Sequence, residues 1–126
     1  MPWPTGAQPK IGRIGRTGPI GEIVRRGEVW FAAVADGGDR PVLVLTRDPV
    51  ADRIDRVVVA ALTRTRRGLV SELTLTAAED GVPSDCVVSF DNVHTLARSG
   101  FRRHLITLSE ARMARACRAL RAAIAC

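Results

Sequence analysis

Arg40 stands at the head of one apolar run, RPVLVLT (40–46), and Thr63 closes another, RVVVAALT (56–63). A guanidinium offers a rigid fork of donors to oxyanions, and a hydroxyl adds one more donor. If the two runs are antiparallel neighbours joined through 47–55, the start of one lies beside the end of the other. Arg40 and Thr63 then share one rim of a sheet. The segment leaving that rim, RTRRG (64–68), adds Arg64, Arg66 and Arg67. Such a rim suits a phosphodiester, whose transition state places extra charge on the phosphoryl oxygens. A plainer reading stands beside it: Arg40 in a salt bridge with Asp36 or Asp39, and Thr63 serving β geometry.

Other chemistries find less support. The sequence has no GxxxxGK[ST], no HExxH and no GxSxG nucleophile elbow. His94 and His104 fall on different strands with no reason to converge as an acid–base pair, so His94 is expected near the site only as a secondary contact. Cys86, Cys117 and Cys126 form neither a disulfide framework nor a CxxC pair. They read as reduced thiols, with Cys86 and Cys117 as small core residues. No structural zinc is expected, and no other metal or cofactor. Trp30 can stack a base, but an aromatic residue near the start of a β core is more often there for packing.

The elements that must position these residues are mostly strands. GEVWFAAV (27–34) leads to a turn signal, DGGD (36–39), and then to RPVLVLT with Pro41 at its start. PVADRID (49–55) is a polar connection, with room for one helical turn. RVVVAALT has the β-branched content of a strand buried on both faces. VSELTLT (70–76) alternates like a half-exposed strand, AAEDGVPSD (77–85) reads as a loop, CVVSFDNVHTL (86–96) as a strand running past Asp91 and Asn92, and HLITL (104–108) as a last short strand. Ser109 can cap a C-terminal helix whose stripe is Met113, Cys117, Leu120 and Ile124, with Arg112, Arg115, Arg118 and Arg121 on other faces. The expected fold is mainly β with helices, an α+β fold with a small, strongly bent sheet or barrel against one terminal helix.

Residues 1–24 are punctuated by Gly and Pro and read as a flexible N-terminal extension; the compact domain is expected over 25–126. The chain carries 19 basic and 13 acidic residues, a formal charge of +6, and every basic residue except Lys10 is Arg. That balance favours a polyanionic partner such as nucleic acid, although base bias in the genome also produces Arg. No window nears 18 apolar residues, so no membrane span is expected, and an intracellular protein is the default.

Four blocks then carry a resemblance. RRGEVWFA (25–32), DRPVLVLTRD (39–48), VVVAALT (57–63) and SDCVVSFDNVHTL (84–96), in this order, resemble the MazF/PemK family of toxin endoribonucleases over residues 25–124. The resemblance implies a small SH3-like barrel with helices, working in the cytoplasm as a homodimer. It implies sequence-specific cleavage of single-stranded RNA without a metal, leaving 2′,3′-cyclic phosphate and 5′-hydroxyl ends, and a cognate small acidic antitoxin that blocks the RNA groove. The family's catalytic Arg and Thr fall on Arg40 and Thr63, and its RNA-binding acidic–amide pair on Asp91 and Asn92. Arg64, Arg66 and Arg67 would hold flanking phosphates. The loop AVADGGD (33–39) is shorter than in many relatives, whose loop Glu has no match here unless Asp36 or Asp39 replaces it. His94 stands where an Arg is common. A toxin of the same fold that inhibits DNA gyrase by protein binding, and a non-catalytic nucleic-acid-binding barrel, are the alternatives.

Overall fold

The apolar runs do become strands, and their short, polar interruptions become the turns that fold them into one antiparallel sheet. The computed structural model describes residues 23–34, 38–48 and 54–126. Its strands are β1 (Glu28–Val34), β2 (Gly38–Val44), β3 (Arg56–Thr63), β4 (Glu72–Leu75), β5 (Cys86–Ala97) and β6 (Phe101–Thr107). A four-residue helix, α1 (Ala77–Asp80), precedes β5, a 3-10 turn (Arg98–Gly100) separates β5 from β6, and α2 (Glu110–Ile124) ends the fold. The sheet order is β4-β5-β3-β2-β1-β6, with every neighbouring pair antiparallel. The sheet curls into a half-barrel whose edges, β4 and β6, do not pair with each other. Among the described residues, no helix is long and apolar enough to cross a membrane.

Both faces of β3 are buried from Val59 to Leu62, while at its start Arg56 and Val58 stay exposed, so the expected burial on both faces holds for the second half of the run. Val57 and Val59 enter one apolar cluster with Trp30, Val42, Val44, Leu96 and Phe101. Ala60 and Leu62 enter the other, with Leu43, Leu75, Val88, Phe90 and Leu105, closed by Ala116 and Ala119 of α2. Removing one such Leu or Val side chain from water contributes about 1.5–3 kcal/mol, so these clusters hold the strands in register. Trp30 is wholly buried; its indole N–H donates to Glu28 Oε1 at 3.0 Å and its ring meets Phe101 edge-on. It is a packing residue, and the base-stacking alternative falls.

Several expectations shift. Pro41 lies inside β2 rather than at its start, because β2 already pairs with β1 at Gly38 and Asp39. The stretch 77–85 is not all loop. Thr76 caps α1 by accepting from the Glu79 N–H at 3.0 Å, and Gly81, at φ 79°, ends the helix in the left-handed region. β4 is shorter than 70–76, and β6 starts three residues before 104. Ser109 caps α2 as expected, accepting from the Arg112 N–H at 3.2 Å. The buried positions of α2 are Ala116 and Ala119, while Ile124 is 57% exposed and Cys117 is only half-buried. Of the expected stripe, Met113 and Leu120 do pack against the core, beside the small alanines that let the helix approach the sheet. Of the expected extension 1–24, only Ile23 and Val24 are described, and Val24 is already in the core. The connection 49–55 is described only at Ile54 and Asp55, and the DGGD turn only at Gly38 and Asp39.

Candidate functional site

The pairing of β2 with β3 matches Val42 with Ala61, Leu43 with Ala60 and Val44 with Val59. Continued by two residues, this register sets Arg40 across from Thr63. Pro41 has no N–H to give a ladder, and the pairing stops at Val42. The strands part where Arg40 and Thr63 stand, which leaves room between them. Arg40 is half-buried, and its Nε is buried without a hydrogen-bond partner among the described residues. The salt bridge to Asp39 is not formed: Asp39 faces Arg102 at 3.9 Å, as neighbours on a strand point to opposite faces. Asp36 lies outside the described residues. Thr63 Oγ1 accepts from the Thr65 N–H at 3.2 Å, so its own proton is left to donate.

β5 supplies the next pieces through an irregularity. Ala60 pairs with Val93 but Ala61 pairs with Ser89, so three residues of β5, Phe90 to Asn92, bulge out of the ladder. A bulge re-aims side chains. Phe90 enters the core, while Asp91 and Asn92 turn to the gap between β2 and β3. The result is a pocket of about 360 Å³ lined by Arg40, Thr63, Arg67, Leu69, Ser89, Asp91 and Asn92.

Five of the eight residues singled out from the sequence therefore meet in one cavity: Arg40, Thr63, Arg67, Asp91 and Asn92. Arg64 and Arg66 sit exposed on the same loop without lining it. His94 also lies off the pocket. It pairs with Val59 across the ladder, and its Nε2 is buried with no hydrogen-bond partner among the described residues. His104 is engaged elsewhere, 2.9 Å from Thr107 Oγ1 and 3.8 Å from Glu28 Oε2. Cys86 behaves as a core thiol: burial first, then the charges of Asp85 and Asp80, push it up to about 12. Sequence reasoning missed Leu69 and Ser89 in the lining, and Ser71 behind it. Ser71 shares the inward phase of Leu73 and Leu75, and a polar residue in that phase must find a partner.

A curled antiparallel half-barrel, a terminal helix and a cationic pocket at the β2–β3 mouth agree with the comparisons. The family model described as PemK-like, MazF-like toxin of type II toxin–antitoxin system matches residues 25–124. The chain belongs to this family. It is 71% identical over 103 residues to the probable endoribonuclease MazF2 of Mycobacterium tuberculosis, covering 82% of this chain and 100% of that protein. It is 40% identical over 101 residues to the probable endoribonuclease MazF5 of the same species, covering 80% and 93%. Among solved structures, a mycobacterial endoribonuclease in complex with its cognate antitoxin matches with a TM-score of 0.72 at 25% identity, covering 81% of this chain and 95% of that one. The M. tuberculosis toxin MazF-mt6 matches with a TM-score of 0.71 at 31% identity, over 78% and 96%.

Proposed function

We propose that the pocket of Arg40 and Thr63 is where this MazF-type endoribonuclease toxin cleaves single-stranded RNA. The observation that carries the reading is the β2–β3 register, which sets the guanidinium opposite the hydroxyl with an open gap between them. The reaction is an intramolecular transesterification. The ribose 2′-oxygen bonds to the adjacent phosphorus, the bond to the 5′-oxygen breaks, and the 2′-proton is given up as the leaving oxygen gains one. The products are a 2′,3′-cyclic phosphate and a 5′-hydroxyl. The nucleophile belongs to the RNA, so the protein must splay the strand, align the attack and hold the phosphorane. Arg40 clamps the phosphoryl oxygens with its fork of N–H donors. Thr63 donates to a developing oxyanion. Asp91 and Asn92 engage base edges, Arg67 holds a neighbouring phosphate, and Arg64 and Arg66 hold phosphates further along the strand.

Residues 25–126 carry the activity, in the cytoplasm and as a homodimer. A small acidic antitoxin covers the same basic groove; solved relatives in complex with antitoxins support this partner. The test is cleavage of mixed-sequence and total cellular RNA in excess EDTA, with end-group analysis, by the wild type, Arg40→Ala and Thr63→Ala. Cyclic phosphate ends are expected from the wild type. Each variant should lose about 10²–10³ in rate, the usual effect of removing one oxyanion donor. Variants that cut as well as the wild type, or products with 3′-hydroxyl ends, would overturn the assignment.

A further inference from the structure

Two walls of the Arg40 pocket lie outside any regular ladder, and two consecutive residues hold them: Ser71, just before β4, and Glu72, its first residue. The first wall is the β5 bulge. Ser71 is polar yet only 5% exposed. Its hydroxyl donates to Asp91 Oδ2, and its carbonyl accepts from the Phe90 N–H at 3.0 Å. One residue thus pins the bulge by side chain and main chain together. The second wall is the loop after β3. Glu72 Oε1 accepts from the N–H groups of Gly68 at 3.0 Å, Arg67 at 3.2 Å and Leu69 at 3.4 Å, and Oε2 accepts from Arg67 at 3.3 Å. Successive N–H groups aimed at one carboxylate form a nest, and Gly68 supplies the φ of +71° that turns the chain around it. Glu72 is also the cross-strand partner of Ser89, a residue of the pocket lining.

We propose that Ser71 and Glu72 are positioning residues with separable effects. Ser71 acts through Asp91 on which RNA sequences are cut, and Glu72 acts through Arg67 on how tightly any RNA is held. This rests on the reading of the pocket as the RNA site. The separation follows from what each wall presents. Asp91 and Asn92 offer a carboxylate and an amide, groups able to discriminate base edges, and only contacts to bases carry sequence information. Ser71 occupies one oxygen of Asp91 and so fixes where the other is aimed. Arg67 presents charge to a phosphate, which positions RNA of any sequence.

The experiment is cleavage kinetics on a panel of short RNAs differing at the bases around the preferred cut, with a thermal melt for each protein. Ser71→Ala should narrow the kcat/KM ratio between best and worst RNA about tenfold, the effect of losing a hydrogen bond to a charged group. Ser71→Thr, which keeps the hydroxyl, should restore it. Ser71→Ala should add nothing to Asp91→Ala. Glu72→Ala should raise KM about tenfold on every RNA with kcat held, again by loss of hydrogen bonds to a charge, and Glu72→Gln should recover much of it. A uniform fall in kcat/KM for Ser71→Ala, or a fall in kcat for Glu72→Ala, tracking a lower melting temperature and not rescued by Thr or Gln, would reduce that residue to scaffold and overturn the inference. If Asp91→Ala flattens the preference and Ser71→Ala does not, the pocket reading stands and the inference alone falls. If Asp91→Ala leaves the preference intact, the pocket reading fails first.

Discussion

On the proposed function, Thr63 acts as a donor, and one hydrogen bond that it accepts bears on that role. With the Thr65 N–H directed at its Oγ1, the hydroxyl accepts there and keeps its own proton to donate. Thr63→Val keeps the shape and removes the donor, so it should cost about 10²–10³ in kcat, while Thr63→Ser should retain most of the rate. Equal activity of the Val variant would remove the hydroxyl from the reaction. Cys86 allows a second test at this scale. Its thiol lies at about 12 in the fold against 9.0 when free, chiefly from burial. Between those values the unfolded chain has lost a proton that the folded chain keeps. Stability contributed by the neutral thiol is therefore complete below pH 9 and fades as pH rises toward 12. Urea unfolding of Cys86→Ala should show a shallower alkaline decline than the wild type over that window. Parallel curves would exclude the linkage.

Among the elements, α2 is fastened by one arginine as well as by its apolar side. Arg112 Nε donates to Asp80 Oδ1 at 2.9 Å and Nη2 to Oδ2 at 3.0 Å, and Nη2 also reaches the Thr74 carbonyl. The side chains are 17% and 4% exposed, so Arg112→Ala would leave a buried carboxylate without its counter-charge. The expected loss is about 3–5 kcal/mol by chemical denaturation, and a double change to apolar residues at Arg112 and Asp80 should cost much less. A single-variant loss under 1 kcal/mol would show the pair to be peripheral. This contact also shows where sequence reading stops. β3 was legible to the residue, because a β-branched run between polar breakers has few other ways to fold. Arg40 and Thr63 were legible as neighbours because antiparallel pairing joins the start of one strand to the end of the next. The β5 bulge was not, since a three-residue slip is decided by β3 and β4 together and leaves no local signature. Nor was α1, whose four residues depend on the Thr76 cap, the Gly81 turn and Asp80's tie to α2. His94 was expected near the site as a secondary contact at a position where relatives commonly carry Arg, and it lies off the pocket, paired with Val59 beyond the slip at Phe90–Asn92.

Across the whole molecule, the charge of +6 rests almost entirely on arginine. Much of that arginine does structural work. Arg112 is tied to Asp80, and Arg26 donates to the Leu45 carbonyl and meets Cys117 Sγ at 3.1 Å. On the proposed function, the arginines that bear on RNA are those at the pocket mouth. Each phosphate contact on a single strand contributes about 0.7 to the slope of log affinity against log salt. With cleavage silenced by Arg40→Ala, replacing Arg64, Arg66 and Arg67 together by Ala should lower that slope by about 2, and by the same amount for RNAs of different sequence. Replacing Arg115 and Arg118, which line a separate pocket against β4, should leave it unchanged. A slope that responds to the α2 arginines and not to the loop would move the RNA path from the β2–β3 mouth to the helix. The matched result would fix the path along the loop that Glu72 holds.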